Sequence, residues 1–124
     1  MAKNLDEFTC QTTDSIRTAM LKITANRYRV VIVLDGDQVV GTCSDGDIRR
    51  ALLRDVMPIA PVEKVMNINC IKTTESDPRQ QHAIIQREKI TVLPVVDQNN
   101  VLVDVALAYE PSFDELDESV KDKK

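Results

Sequence analysis

The chain has no tryptophan, two phenylalanines and two tyrosines among its 124 residues, which leaves little aromatic surface on which single-stranded bases could stack. It also has no excess of positive charge. Its formal net charge is −4, whereas proteins that grip a phosphate backbone show a basic face or a strongly basic balance, so nucleic acid is not an expected partner. Long apolar runs are missing: no stretch approaches the roughly 18 residues of a membrane span, and the opening MAKNLDEF has no hydrophobic run of signal-peptide type. The expected location is the cytoplasm, with no membrane partner. A single histidine, His82, has no cysteine or serine spaced to form a nucleophile and base with it; a structural role is expected. Cys10, Cys43 and Cys70 are odd in number, far apart and without a C-x-x-C pair, which argues against a disulfide framework or a zinc site and for small buried or half-buried side chains. With no general base, nucleophile or metal cluster to be found, the chain is not expected to be an enzyme, and no metal or resident cofactor is expected.

What is present is ordinary globular composition, 43% apolar and 29% charged, in a length that supports one compact core. From Ser15 to Asn26, Ile16, Ala19, Met20 and Ile23 recur at helical spacing behind Ser15 as a cap. The β-branched run Val30 to Leu34 reads as a buried strand, closed by the turn Asp35-Gly36-Asp37. A second strand from Val39 to Cys43 leads through Ser44-Asp45-Gly46-Asp47 into a short helix, Ile48 to Arg54. The acid spacing of the two Asp-Gly-Asp turns does not continue into a calcium loop, and turn and cap roles account for it.

The second half repeats this order. A strand is expected from Cys70 to Thr73, then a helix capped by Asp77 with Pro78 at its first position, the run Thr91 to Val96, and the turn Asp97 to Asn100. Placing Asp97 on Asp35 gives an offset of 62 (97 − 35), which also places Asp77 on Ser15. The second turn is one residue longer, so the offset becomes 63 and Val101 to Leu107 fall on Gln38 to Ser44. Agreement of separate elements within one residue marks an internal duplication. Met57 to Pro61, with two prolines, reads as the linker, giving expected repeats at 1–57 and 58–110 and an acidic tail at 111–124.

These features together resemble a CBS-domain pair, or Bateman module, from about Phe8 to Glu110. The resemblance rests on Val39 to Leu53 in the first copy, on Pro61 to Asn67 in the linker, and on Leu93-Pro94-Val95-Val96-Asp97 in the second. The stretch Ser44 to Leu53 is similar to CBS pairs attached to sugar-phosphate isomerases and sugar-1-phosphate nucleotidyltransferases. The resemblance implies an α/β (α+β) fold of two βαββα repeats about a pseudo-twofold axis, with three-stranded sheets side by side and helices on one face. It further implies a homodimer, and a regulatory role toward a fused or partner enzyme.

In this family the pattern G-x-x-[S/T]-x-x-D, here Gly41, Ser44 and Asp47, marks a site for an adenosyl ligand such as AMP, ADP or ATP. The residue types suit that use. An ionised carboxylate accepts hydrogen bonds, so Asp47 fits the vicinal hydroxyls of a ribose; Ser44 before a helix can meet a phosphate; Gly41 permits close approach. The resemblance adds Arg29 and Val30 from the same copy and Thr73, Thr74 and Asp77 from the other. Arg29 could supply charge to a phosphate, with Arg27, Arg49 and Arg50 as further candidates. Asp47 also has a plainer reading, as a helix cap.

The second copy has Asp104, Leu107 and Glu110 where the first has Gly41, Ser44 and Asp47. The hydroxyl is lost, and Asp104 would repel a phosphate, so at most one well-formed site per chain is expected, the one built on Ser44 and Asp47. Two functions follow: a module that senses an adenine nucleotide or other adenosyl ligand in the cleft between the repeats, or a dimerisation and assembly module that binds none.

Overall fold

The computed structural model describes residues 4–109; Glu110 and the acidic tail lie outside them. A single turn of 3-10 helix at Leu5–Phe8 leads into β1 (Thr9–Gln11), α1 (Ile16–Asn26), β2 (Val30–Asp35), β3 (Gln38–Ser44) and α2 (Asp45–Leu53). The second copy supplies α3 (Pro78–Glu88), β4 (Val92–Val96) and β5 (Leu102–Leu107).

Helix α1 forms where an amphipathic run meets a complete set of partners for its first N–H groups. Ser15 Oγ accepts from Thr18 N–H at 3.0 Å, while Ile16 and Arg17 donate to the carbonyls of Ala60 and Pro58, both at 2.9 Å. The proline-bearing linker thus satisfies donors that helix geometry leaves orphaned. At the other end Arg27 adopts a left-handed conformation, φ 69°; Lys89, its counterpart at an offset of 62 (89 − 27), closes α3 in the same way with φ 58°. Helix α2 begins at Asp45, earlier than the apolar spacing from Ile48 indicates, because Ser44 caps it.

In the first sheet β1 pairs parallel with β2, and β2 antiparallel with β3. The second sheet keeps β4 antiparallel to β5 but has only a single-residue parallel bridge, Thr73 to Val95, where a third strand was expected at Cys70 to Thr73. Thr73 donates to Pro94 O at 3.0 Å and accepts from Val96 N–H at 2.8 Å. The next rung upstream would need an N–H from residue 94. Pro94 has none, so the ladder stops.

The duplication is visible in the register itself. Val33 pairs with Gly41 and Leu34 with Val39, leaving Val40 as a bulge; Val95 pairs with Asp104 and Val96 with Leu102, leaving Val103 as its counterpart. The copies meet at Gln38 and Val101, which are equivalent positions at an offset of 63 (101 − 38) and bridge each other antiparallel. Val39 N–H donates to Asn100 O, and its mate Leu102 N–H donates to Asp37 O, each at 3.1 Å. Such reciprocal bonds are the mark of a twofold relation; the pseudo-twofold axis runs through this pair.

Alternation along the strands sorts the core into three layers. Val31 and Val33 join Ile16, Ala19, Ile23 and Ile48 beneath α1 and α2. Leu93, Val95 and Ala106 pack with Ile85 beneath α3. Between the sheets, Phe8, Tyr28, Ile32 and Val39 of the first copy mesh with Val92, Val96, Val105 and Leu107 of the second. The sheets therefore meet through their inner faces rather than side by side, with helices on the outer face of each.

Candidate functional site

The end of β3 and the start of β2 are held together by pairing of Val30 with Ser44 and by donation from Asp45 N–H to Arg29 O at 3.1 Å. Arg29 is left-handed, φ 69°, a conformation that costs a non-glycine residue some free energy and is tolerated where surrounding contacts impose it. Ser44 then caps α2 in a capping box: Ser44 Oγ accepts from Asp47 N–H at 3.2 Å, and Asp47 Oδ2 accepts from Ser44 N–H at 2.9 Å. Asp47 Oδ2 also accepts from the Ser44 hydroxyl at 3.0 Å, and Asp47 Oδ1 accepts from Arg50 Nη2 at 2.9 Å. The capping role of Asp47 is thus real, and its carboxylate is the most connected polar group of this corner.

Above it opens a cavity of about 450 Å³ at the junction of the copies. The first copy contributes Tyr28, Arg29, Val30, Thr42, Ser44, Asp47 and Arg50; the linker side contributes Asn67, Cys70 and Ile71; the second copy contributes Lys89, Ile90, Thr91 and Val92. The lining carries three cations, Arg29, Arg50 and Lys89, against one carboxylate. Its other walls are largely apolar. Such a combination suits a ligand with a flat or apolar body and an anionic end.

Of the residues singled out in the sequence, Arg29, Val30, Ser44 and Asp47 line this cavity. Gly41 does not. A Cβ at Gly41 would lie 2.9 Å from Asn67 O and from Met66 Sδ, so the space it leaves is taken by the protein's own chain, which crosses β3 through paired bonds between Thr42 and Asn67 at 2.7 and 3.1 Å. Thr73, Thr74 and Asp77 are also not among the lining residues. Thr73 bridges β4 and accepts at Oγ1 from Glu75 N–H at 3.0 Å; Thr74 is exposed; Asp77 caps α3 by accepting from Arg79 N–H at 2.9 Å. The second copy reaches the cavity instead through Lys89 to Val92. These are the counterparts of Arg27 to Val30 at the offset of 62, so the repeat alignment held the signal that identifies them.

Arg27 and Arg49 are exposed and lie outside this lining, and His82 is exposed on α3. Asp104, Leu107 and His82 line a separate hollow of about 380 Å³ beside α3. Glu110, the counterpart of Asp47, lies outside the described residues. Burial pushes the Cys43 thiol up to about 12, with the Asp47 carboxylate adding to the effect, and pushes Cys10 up to about 11 with help from Asp14. Burial also raises Cys70. All three are therefore protonated near neutrality and poor nucleophiles. Among the described residues no cluster of His, Cys, Asp and Glu has the arrangement of a metal site, and no helix is long and apolar enough to cross a membrane.

Comparison with known proteins agrees with the fold. Residues 1–54 match the family model of the CBS domain. Arabinose 5-phosphate isomerase GutQ of Escherichia coli K12 is 37% identical over 93 residues, covering 73% of this chain and 29% of the isomerase; the chain thus spans under a third of the length of that relative. Among solved structures, the CBS domains of a transcriptional regulator from Streptococcus pneumoniae superpose with a TM-score of 0.70 at 20% identity, covering 87% of this chain and 89% of that one. The CBS domain protein PAE2072 from Pyrobaculum aerophilum, complexed with AMP, gives 0.65 at 20% identity, covering 80% and 78%.

Proposed function

The chain is a CBS-domain pair, and from that premise we propose that it senses an adenine nucleotide or related adenosyl ligand in the cavity beside Ser44 and Asp47, and so regulates an enzyme. The observation that carries this reading is the cavity itself. It is built from both copies, it joins apolar walls to three cations, and it has a carboxylate at its edge. In this reading the apolar side chains of Val30, Ile71, Ile90 and Val92 take the purine, Asp47 the ribose, and the cations Arg29, Arg50 and Lys89 the phosphate. Binding of AMP by a protein of the same fold supports the choice of ligand. The match to an arabinose 5-phosphate isomerase supports a sugar-phosphate isomerase domain as the regulated partner, with a nucleotidyltransferase domain as the other candidate. A ligand touching both copies biases their relative arrangement only as far as it prefers one state over another.

A second reading, assembly without a ligand, is favoured by one feature. Met20, Ile48, Leu52 and Leu53 line an open groove between α1 and α2, with Leu53 79% exposed, as suits the face of a homodimer. A thermal-shift panel of AMP, ADP, ATP, S-adenosylmethionine and guanine and cytosine nucleotides separates the two. A ligand at 100 times its Kd adds about 2.7 kcal/mol, which raises Tm by several degrees in a domain of this size. The expected outcome is a shift with an adenine compound that is lost in Asp47→Asn, a variant that keeps an oxygen acceptor for the cap. No shift with any compound favours assembly; a shift unchanged in the variant places the site elsewhere.

A further inference from the structure

The polar partners of Asp47 limit what the cavity can accept. A carboxylate has about four acceptor positions, two on each oxygen. Both positions of Oδ2 are taken by the N–H and O–H of Ser44, at 2.9 and 3.0 Å, and these bonds hold the start of α2. Oδ1 has one position open and the other held by Arg50 Nη2 at 2.9 Å, so the two vicinal hydroxyls of a ribose can both be accepted there only if Arg50 gives way. Arg50 reaches that position by folding back over Gly46, where a Cβ would stand 3.2 Å from Nη1 and 3.6 Å from Nη2. The pair is only partly exposed, with the Arg50 side chain 64% and the Asp47 side chain 18% accessible, so parting it leaves the guanidinium in need of a new acceptor.

We propose that Arg50 is the specificity-determining residue of the cavity, competing with a ligand's hydroxyls for Asp47 Oδ1 and yielding only to a ligand that brings its own anion. The inference rests on the reading of the cavity as an adenosyl site. A neutral nucleoside that displaces Arg50 leaves a guanidinium without its counter-charge in a lining that already holds Arg29 and Lys89. A phosphorylated nucleoside gives that guanidinium a new acceptor as it takes the old one away, and a guanidinium pairs with phosphate in a planar, two-pronged geometry. The cost of opening the site is thereby returned to anionic ligands and withheld from neutral ones.

Titration calorimetry of adenosine and AMP against the wild-type chain and Arg50→Ala tests this. Wild type is expected to favour AMP over adenosine by about tenfold or more, the scale of one charge-assisted hydrogen bond. In Arg50→Ala adenosine should bind several-fold more tightly and AMP more weakly, bringing the two within about threefold of each other. Arg50→Gln, which keeps the length of the side chain without its charge, should move both affinities the same way. A loss for AMP without a gain for adenosine overturns the competition. Equal changes for both ligands overturn the selectivity while leaving the site in place. Binding of neither compound to either protein overturns the adenosyl reading of the cavity, and the inference with it.

Discussion

At the scale of single residues, Gly41 shows how a motif position can be occupied for an internal reason. Its missing side chain admits the backbone of Asn67, which is tied to Thr42 on both sides of the crossing. A methyl group there meets a carbonyl that cannot turn aside without breaking those bonds. Gly41→Ala should therefore lower stability by about 1–3 kcal/mol, the range for overpacking, read as a fall in the urea midpoint; an unchanged midpoint would show that the linker crosses β3 more loosely than this. The buried thiols make a separate statement about pH. Cys10 and Cys43 have pKa values raised from 9.0 to about 11 and about 12, so above pH 9 the unfolded chain releases protons that the folded chain retains. Stability then falls with rising pH. Their contribution is present in full below about pH 9 and is lost progressively as pH climbs toward 11 and 12. Urea midpoints from pH 8 to 11 should decline, and Cys43→Ala should flatten the decline; an identical slope in the variant would assign alkaline sensitivity to other groups.

At the scale of elements, what could be read in the sequence was whatever is decided locally. Helices α1 and α3 were legible from Ser15 and Asp77 as caps, and the two hairpins from β-branched runs closed by Asp-Gly-Asp and by Asp-Gln-Asn-Asn. The offsets of 62 and 63 reappear as hydrogen-bond register down to matched bulges. Strand β1 carried no such signal: Thr9-Cys10-Gln11 is three residues long and becomes a strand only because α1 folds it back along β2. The expected strand at Cys70 to Thr73 failed for a reason that was also in view, since Pro94 takes the N–H out of the very position that would extend the pairing. The candidate site divides along the same line. Arg29, Val30, Ser44 and Asp47 belong to one hairpin-and-helix corner, Ser44 and Asp47 marked by the motif and Arg29 and Val30 by the family resemblance. Lys89 and Thr91 were marked only as the repeat counterparts of Arg27 and Arg29, Cys70 and Ile71 enter the cavity only through the packing of one copy on the other, and the bond from Arg50 to Asp47 depends on a side-chain rotamer that no spacing rule specifies.

At the scale of the whole molecule, the shared layer between the sheets decides whether the copies are one folding unit or two. Ile32 is fully buried in it, among side chains of both copies, and the reciprocal bonds at Gln38 and Val101 clasp the hairpins above it. Neither copy can cover its inner sheet face alone, so loss of one exposes the apolar face of the other. Unfolding should be a single cooperative transition. The chain carries its own reporters for this, because both of its tyrosines lie at the junction: Tyr28 donates to Tyr109 O at 2.6 Å and their rings stack at 4.9 Å. Tyrosine fluorescence therefore follows the separation of the copies, while far-ultraviolet circular dichroism follows the helices and strands of both. The two signals should give coincident urea transitions in the wild-type chain. They should still coincide in Ile32→Ala, displaced together by about 2–5 kcal/mol. If the fluorescence transition comes first in either protein, the copies part before they unfold, and a ligand spanning the cavity would act by holding together two units that are stable apart.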